Sequence, residues 1–155
     1  ARLDDVQVAV VGAPNVAGED FAAGLRDLAT ELLGERARFV APRTDVPVVL
    51  RSLDVLVNAS RAEPFGRTVL EGQACGVPVI GTDSGGIPEF VDDAVSGLLV
   101  PVGDDGALAG AIRRLLDDGA LRARVVEGGL ANADRLSVAN QVERVAAVYR
   151  SVARR

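Results

Sequence analysis

One segment, Asp54 to Ile80, limits the possible folds more than any other. Asp54 to Ala59 is an apolar run that reads as a strand buried on both faces. Glu63, Pro64, Phe65 and Gly66 then form a tight loop. Arg67 to Ala74 reads as a helix stopped by Gly76, the usual C-terminal glycine, and Val77 to Ile80 as the next strand. The order strand, glycine loop, helix, strand is a crossover between parallel strands. It aims the loop and the helix N-terminus at the carboxyl edge of a parallel sheet, where open α/β folds bind ligands.

Two carboxylates flank that turn. Glu63 stands in the loop, and Glu71 lies roughly 7 Å up the helix from Gly66 at about 1.5 Å of rise per residue. Its side chain leans back toward the helix start. The N–H groups after Gly66 and the positive end of the helix dipole suit an anion, typically phosphate. Ionised carboxylates only accept hydrogen bonds, so each could take them from sugar hydroxyls beside a diphosphate. The spacing alone equally allows a surface Glu63 and a Glu71 paired with Arg67 at i,i+4.

Further along, Gln7 to Gly12 reads as a buried strand, and Glu19 to Gly34 as a helix with Phe21, Leu25, Leu28, Leu32 and Leu33 at helical spacing. The loop from Gly12 to Gly18 has neither a Walker sequence nor a dinucleotide fingerprint. Arg38 to Ala41 is a short strand, and Asp45 with Pro47 opens a short helix over Val46 to Leu53. Thr82 to Gly86 is a second glycine loop, followed by a short helical turn at Ile87 to Val91. A tight turn needing positive φ accounts for Gly85 and Gly86 as well as a ligand wall does. Glu89 reads as a helix-surface residue. After the strand at Leu98 to Val100 come three helices. Asp104 to Asp117 carries Leu108, Ile112, Leu115 and Leu116 on one face, Gly119 to Asp134 follows, and Ser137 to Val152 turns Val142, Val145, Ala146 and Tyr149 inward. Arg154 and Arg155 read as solvated.

Composition removes whole classes of function. The 155 residues suffice for one domain with a sizeable core. A net charge of −5 argues against a general nucleic-acid binder. Histidine is absent, so this chain supplies no histidine base. The lone cysteine, Cys75, rules out an intrachain disulfide or a cysteine metal cluster and reads as an inert core thiol. No apolar run approaches the length of a membrane helix and no signal-peptide pattern opens the chain, so the expectation is a cytoplasmic protein with no visible membrane association.

Taken together, Phe39 to Arg43, Asp54 to Ser60, the Glu63/Glu71 pair with Phe65 and Gly66 inside it, Ala74 to Val79, Gly85 to Glu89 and Gly97 to Pro101 carry a resemblance. In order and spacing they resemble the C-terminal, donor-binding half of retaining glycosyltransferases of the GT-B fold, the group 1 family (family 4). The resemblance covers Val6 to Tyr149 and implies a Rossmann-like α/β fold, a parallel sheet with helices on both faces. It implies a nucleotide-sugar donor as substrate, with Glu71 on ribose hydroxyls and Glu63, the candidate catalytic residue, on hydroxyls of the transferred sugar. The N–H groups of Gly66, Arg67 and Thr68 would take the distal phosphate, with Phe65 inside the same turn, and Gly85 and Gly86 would wall the site. Arg43 lies in the loop expected beside the nucleobase, where base contact and a solvated side chain both remain open. No cofactor and no metal is called for, since there is no Asp-x-Asp sequence and a helix N-terminus can neutralise a diphosphate.

The family pattern also implies parts not seen in residues 1–155. The first strand and helix of the donor half have no counterpart, nor does the N-terminal domain that would bind the acceptor. The chain is therefore expected to be one nucleotide-sugar-binding domain, with 104–153 as its helical C-terminal part, inactive alone. Two rival readings exist. One is a non-catalytic nucleotide-sugar-binding module. The other is a GT-B UDP-sugar 2-epimerase, whose glycine loop Thr82 to Ile87 resembles, although Pro88-Glu89 stands where that family has glutamine–glutamate.

Overall fold

The computed structural model describes residues 6–13 and 18–153. Residues 14–17 of the first loop and the terminal Arg154 and Arg155 lie outside the described residues. The architecture is α/β, with every strand pairing parallel. The strands pair as one sheet of two strands and one of three. Two compact units divide between Val46 and Pro47.

In the N-terminal unit, β1 (Val8–Val11), α1 (Gly18–Leu33) and β2 (Ala37–Val40) make one crossover, with a 3-10 turn at Gly34–Arg36 between α1 and β2. The register runs from Val8 opposite Ala37 to Val11 opposite Val40. β1 is a strand as expected, but it is not buried: Val8, Val10 and Val11 are each 40% exposed or more. Phe21, Leu28 and Leu32 of α1 are likewise exposed. Within this unit, two strands and one helix offer too little partner surface to cover both faces of a strand.

The larger unit contains α2 (Val46–Arg51), β3 (Leu56–Asn58), α3 (Arg67–Ala74), β4 (Val79–Thr82), a 3-10 turn (Ile87–Glu89) and β5 (Leu98–Val100). Helices α4 (Asp105–Asp117), α5 (Gly119–Arg135) and α6 (Val138–Ala153) follow. The sheet order is β3-β4-β5, so β4 is central and all four of its residues are buried. Successive β4 side chains point to opposite faces. Val79 joins a cluster with Leu50, Val69, Ile87 and Phe90, while Ile80 joins Leu98, Val100, Leu115, Leu121 and Val125.

Two burial expectations fail in this unit. β3 is an edge strand, and although Leu56 is buried, Val57 is 38% exposed. On α6, Val142, Val145 and Tyr149 are exposed and Ala146 is half-buried, so the face expected to point inward does not. Amphipathic spacing marks a face as apolar, but burial requires a partner, and none of the described elements covers this one. Among the described residues, no helix is long and apolar enough to cross a membrane.

Candidate functional site

The α3 N-terminus is shaped by a glycine. Gly66 has φ +99° and ψ 42°, a left-handed conformation that breaks the chain direction just before the helix. A Cβ there would lie 2.8 Å from Ile87 Cγ1 and 3.4 Å from Phe90 Cζ, so the residue is fixed by space as well as by φ. No hydrogen bond reaches the backbone N–H groups of Arg67 and Thr68 among the described residues, as expected for the first turn of a helix.

Glu63 folds back onto this turn. Its Oε1 accepts from the Gly66 N–H at 3.1 Å, and its Oε2 accepts from Ser60 Oγ at 3.3 Å and, weakly, from Asn58 Nδ2 at 3.5 Å. Asn58 ends β3, and its Oδ1 accepts from the Ser60 N–H at 3.1 Å. The carboxylate is therefore half-buried and held by the strand end and the loop together. The Gly66 N–H, expected to face a phosphate, is turned to Glu63. That leaves Arg67 and Thr68 as the open amides of the turn.

The second glycine loop packs directly on the first. The Gly86 N–H donates to the Glu63 carbonyl at 2.8 Å, Thr82 Oγ1 to the Ser60 carbonyl at 2.6 Å and Ser84 Oγ to the Arg61 carbonyl at 2.8 Å. A Cβ on Gly85 would sit 2.1 Å from the Glu63 carbonyl oxygen, and one on Gly86 2.7 Å from Phe65 Cα. Both glycines are needed because main chain meets main chain. Gly85 also has φ +62°, so the tight-turn requirement and the close approach hold at once.

Glu71 lies one turn into α3, exposed, with Oε1 3.8 Å from the Arg67 guanidinium. This is the i,i+4 pair that the spacing allowed, and its exposure makes it weak. Phe65 is 44% exposed on one side and stacks on Phe90 on the other, with ring centroids 5.2 Å apart. Glu89 is exposed, and Cys75 is half-buried against the first core cluster.

Arg43 lies in the N-terminal unit. Its Nε and terminal nitrogen engage Asp45 at 2.8 and 2.6 Å. That bidentate bond raises the Arg43 pKa and lowers that of Asp45. The side chain is thus neither simply solvated nor fully open to a base. Its fork is already held by Asp45.

Comparison with known proteins decides the family. The family model for glycosyl transferases group 1 matches residues 1–131. The D-inositol 3-phosphate glycosyltransferase of Saccharomonospora viridis is 38% identical over 146 residues, 92% of this chain and 34% of that protein. The chain belongs to the group 1 glycosyltransferases. It spans about a third of the length of the curated relatives it matches. Among solved structures, it superposes on Anabaena Alr3699/HepE in complex with UDP with a TM-score of 0.88 and 30% identity, covering 94% of this chain and 41% of that one. The C-terminal domain of the group 1 protein LpcC from Francisella tularensis matches with a TM-score of 0.77 and 27% identity, over 87% of this chain and 71% of that domain. This glycosyltransferase chain therefore has the fold of the C-terminal domain of a GT-B enzyme.

Within the larger unit of this glycosyltransferase chain, Glu63, Phe65, Gly66, Arg67, Thr68, Gly85 and Gly86 form one contiguous structure, with Glu71 a turn further on. Sequence reasoning missed Asn58, Ser60, Thr82 and Phe90. Asn58 carried a usable signal, because a polar residue ending an apolar strand lies at the carboxyl edge, where ligands bind. Phe90 carried none, since its contact with Phe65 depends on how the two loops meet.

Proposed function

We propose that this chain is the donor-binding portion of a retaining glycosyltransferase that moves a sugar from a nucleotide-diphosphate sugar to an acceptor hydroxyl. The observation that carries the reading is a half-buried carboxylate, Glu63, fixed beside a helix N-terminus whose Arg67 and Thr68 amides are open. The UDP and UDP-glucose held by the Anabaena structures make a UDP-sugar the first donor to test. The names of the curated relatives make an inositol phosphate the first acceptor.

In this reading the amides of Arg67 and Thr68 hold the distal phosphate, aided by the helix dipole and with no metal required. Glu63 accepts from hydroxyls of the transferred sugar and Glu71 from the ribose, releasing its exposed pair with Arg67. Phe65 and the Gly85–Gly86 loop bound the site. The acceptor oxygen forms its bond to the anomeric carbon on the face from which the phosphate departs. As the carbon–phosphate oxygen bond breaks, the leaving phosphate takes the acceptor's proton. No base from this chain takes part in that step. The acceptor itself is bound by a separate N-terminal domain.

Glu71→Ala in the full-length protein is expected to weaken UDP-sugar binding about tenfold or more, as for loss of hydrogen bonds to a charged group. Titration calorimetry measures this, and wild-type affinity in the variant would overturn the assignment. Arg67→Ala should change affinity little, because its backbone and not its side chain contacts the donor. The anomeric configuration of the product, read by NMR, tests retention. A thermal-shift panel of UDP-, GDP- and ADP-sugars tests the base, with about 2.7 kcal/mol of stabilisation at a hundredfold excess over Kd.

A further inference from the structure

Behind α3 lies a group of buried amides that the reading above does not use. Asn132 on α5 is 7% exposed, and its Nδ2 donates both to Gln73 Oε1 at 2.9 Å and to the Phe90 carbonyl at 2.8 Å. Its Oδ1 accepts from Arg135 at 2.6 Å. Gln73 on α3 is 1% exposed and donates from Nε2 to the Ser96 carbonyl at 2.9 Å. Ser96 Oγ in turn accepts from the Asp92 N–H at 2.9 Å. Small residues on α5 permit the approach: a Cβ on Gly129 would lie 3.1 Å from Gln73 Cγ, and one on Gly128 2.2 Å from the Val95 carbonyl oxygen.

An apolar pair of similar volume would fill the same space, but it would leave the Phe90 and Ser96 carbonyls without these donors. What an apolar pair cannot do is hold a carbonyl in one place. The carbonyl held is that of Phe90, whose ring stacks on Phe65 and limits the space at Gly66. A continuous path of contacts thus runs from α5 to the turn that opens α3.

We propose that Asn132 is a positioning residue for the donor seat. By fixing the Phe90 carbonyl it sets the ring against which Phe65 and Gly66 are placed, and with them the Arg67 and Thr68 amides and Glu63. The proposal rests on the donor-site reading given above.

Asn132→Asp tests it in the full-length protein. The substitution keeps the volume and the contact with Arg135 but removes both Nδ2 donations. The expected result is about tenfold weaker UDP-sugar binding well below the melting temperature, together with faster hydrogen exchange at the Gly66 amide, which donates to Glu63. Leu115→Ala, in the second core cluster, serves as a destabilised control and should change neither. If Asn132→Asp matches that control in both readouts, the proposal is overturned. If Asn132→Asp does not fold, Phe90→Leu carries the test. It keeps the carbonyl bond but removes the ring stack, and unchanged exchange at the Gly66 amide would again overturn the proposal. Glu71→Ala measured alongside separates the two levels. Should it leave donor affinity intact, the donor seat is misassigned, and the exchange data alone then decide whether Asn132 holds the turn.

Discussion

Single residues around Glu63 are constrained by different forces, and substitutions should separate them. Gly85→Ala would meet both positive φ and a carbonyl oxygen 2.1 Å away, and is expected to cost more than about 2 kcal/mol in urea unfolding. Gly103→Ala shares only the conformational strain, with nothing within 4 Å, and should cost about 1 kcal/mol. The opposite case is Ala94, which holds φ 57° without being glycine. Ala94→Gly should stabilise by about 0.5 kcal/mol, the relief of strain outweighing the added freedom of the unfolded chain. At Asp45 the bidentate bond from Arg43 depresses the carboxyl pKa. A depressed value stabilises the fold above the unfolded carboxyl range, about pH 4, and that contribution is lost as pH falls through the lower folded value. Asp45→Asn should therefore differ in stability from the parent at neutral pH and converge with it in acid, as a pH series of denaturation curves would report.

Secondary-structure elements were the most legible level of the sequence. The order β3, α3, β4 and the helix at Arg67–Ala74 are as expected, because an apolar run, a glycine loop and a C-terminal glycine are local signals. However, β3 is shorter than Asp54 to Ala59, and β4 runs two residues later than expected, from Val79 to Thr82. The helix starts expected at Asp104 and Gly119 were right to within a residue. In the structure, Asp104 and Asp118 cap α4 and α5, accepting from the Ala107 and Leu121 N–H groups at 2.8 and 2.9 Å. Asp118→Ala is expected to lower stability by about 1 kcal/mol, visible as a shifted urea midpoint with an unchanged slope. The Gln73–Asn132 contact had no such signal. The two residues are 59 positions apart, and nothing local to either marks a buried amide pair.

At the level of the whole molecule, the sequence told which faces are apolar but not which are covered. β1, the outer side of β3 and the α6 face all carry the residues of buried elements and are exposed here, in a chain that spans about a third of its curated relatives. In these 155 residues, Val142→Gln and Val148→Gln should each alter stability by no more than about 0.5 kcal/mol. Val125→Ala, which empties a buried position, should cost over 1 kcal/mol in the same assay. The candidate site was legible in its motif residues because their spacing fixes helix and loop geometry. Its supporting residues were not, since Phe90 and Asn132 act through tertiary contacts.

Where the two glycine loops touch, peptide groups face peptide groups at a separation that only glycine permits. On the proposed reading, the floor beneath the donor thus offers evolution almost nothing to vary. A shift in sugar preference is then expected in the side chains above it, at Glu63 and at the neighbours that hold or flank it, Asn58, Ser60 and Phe65, and libraries at those codons are where altered donors should be sought.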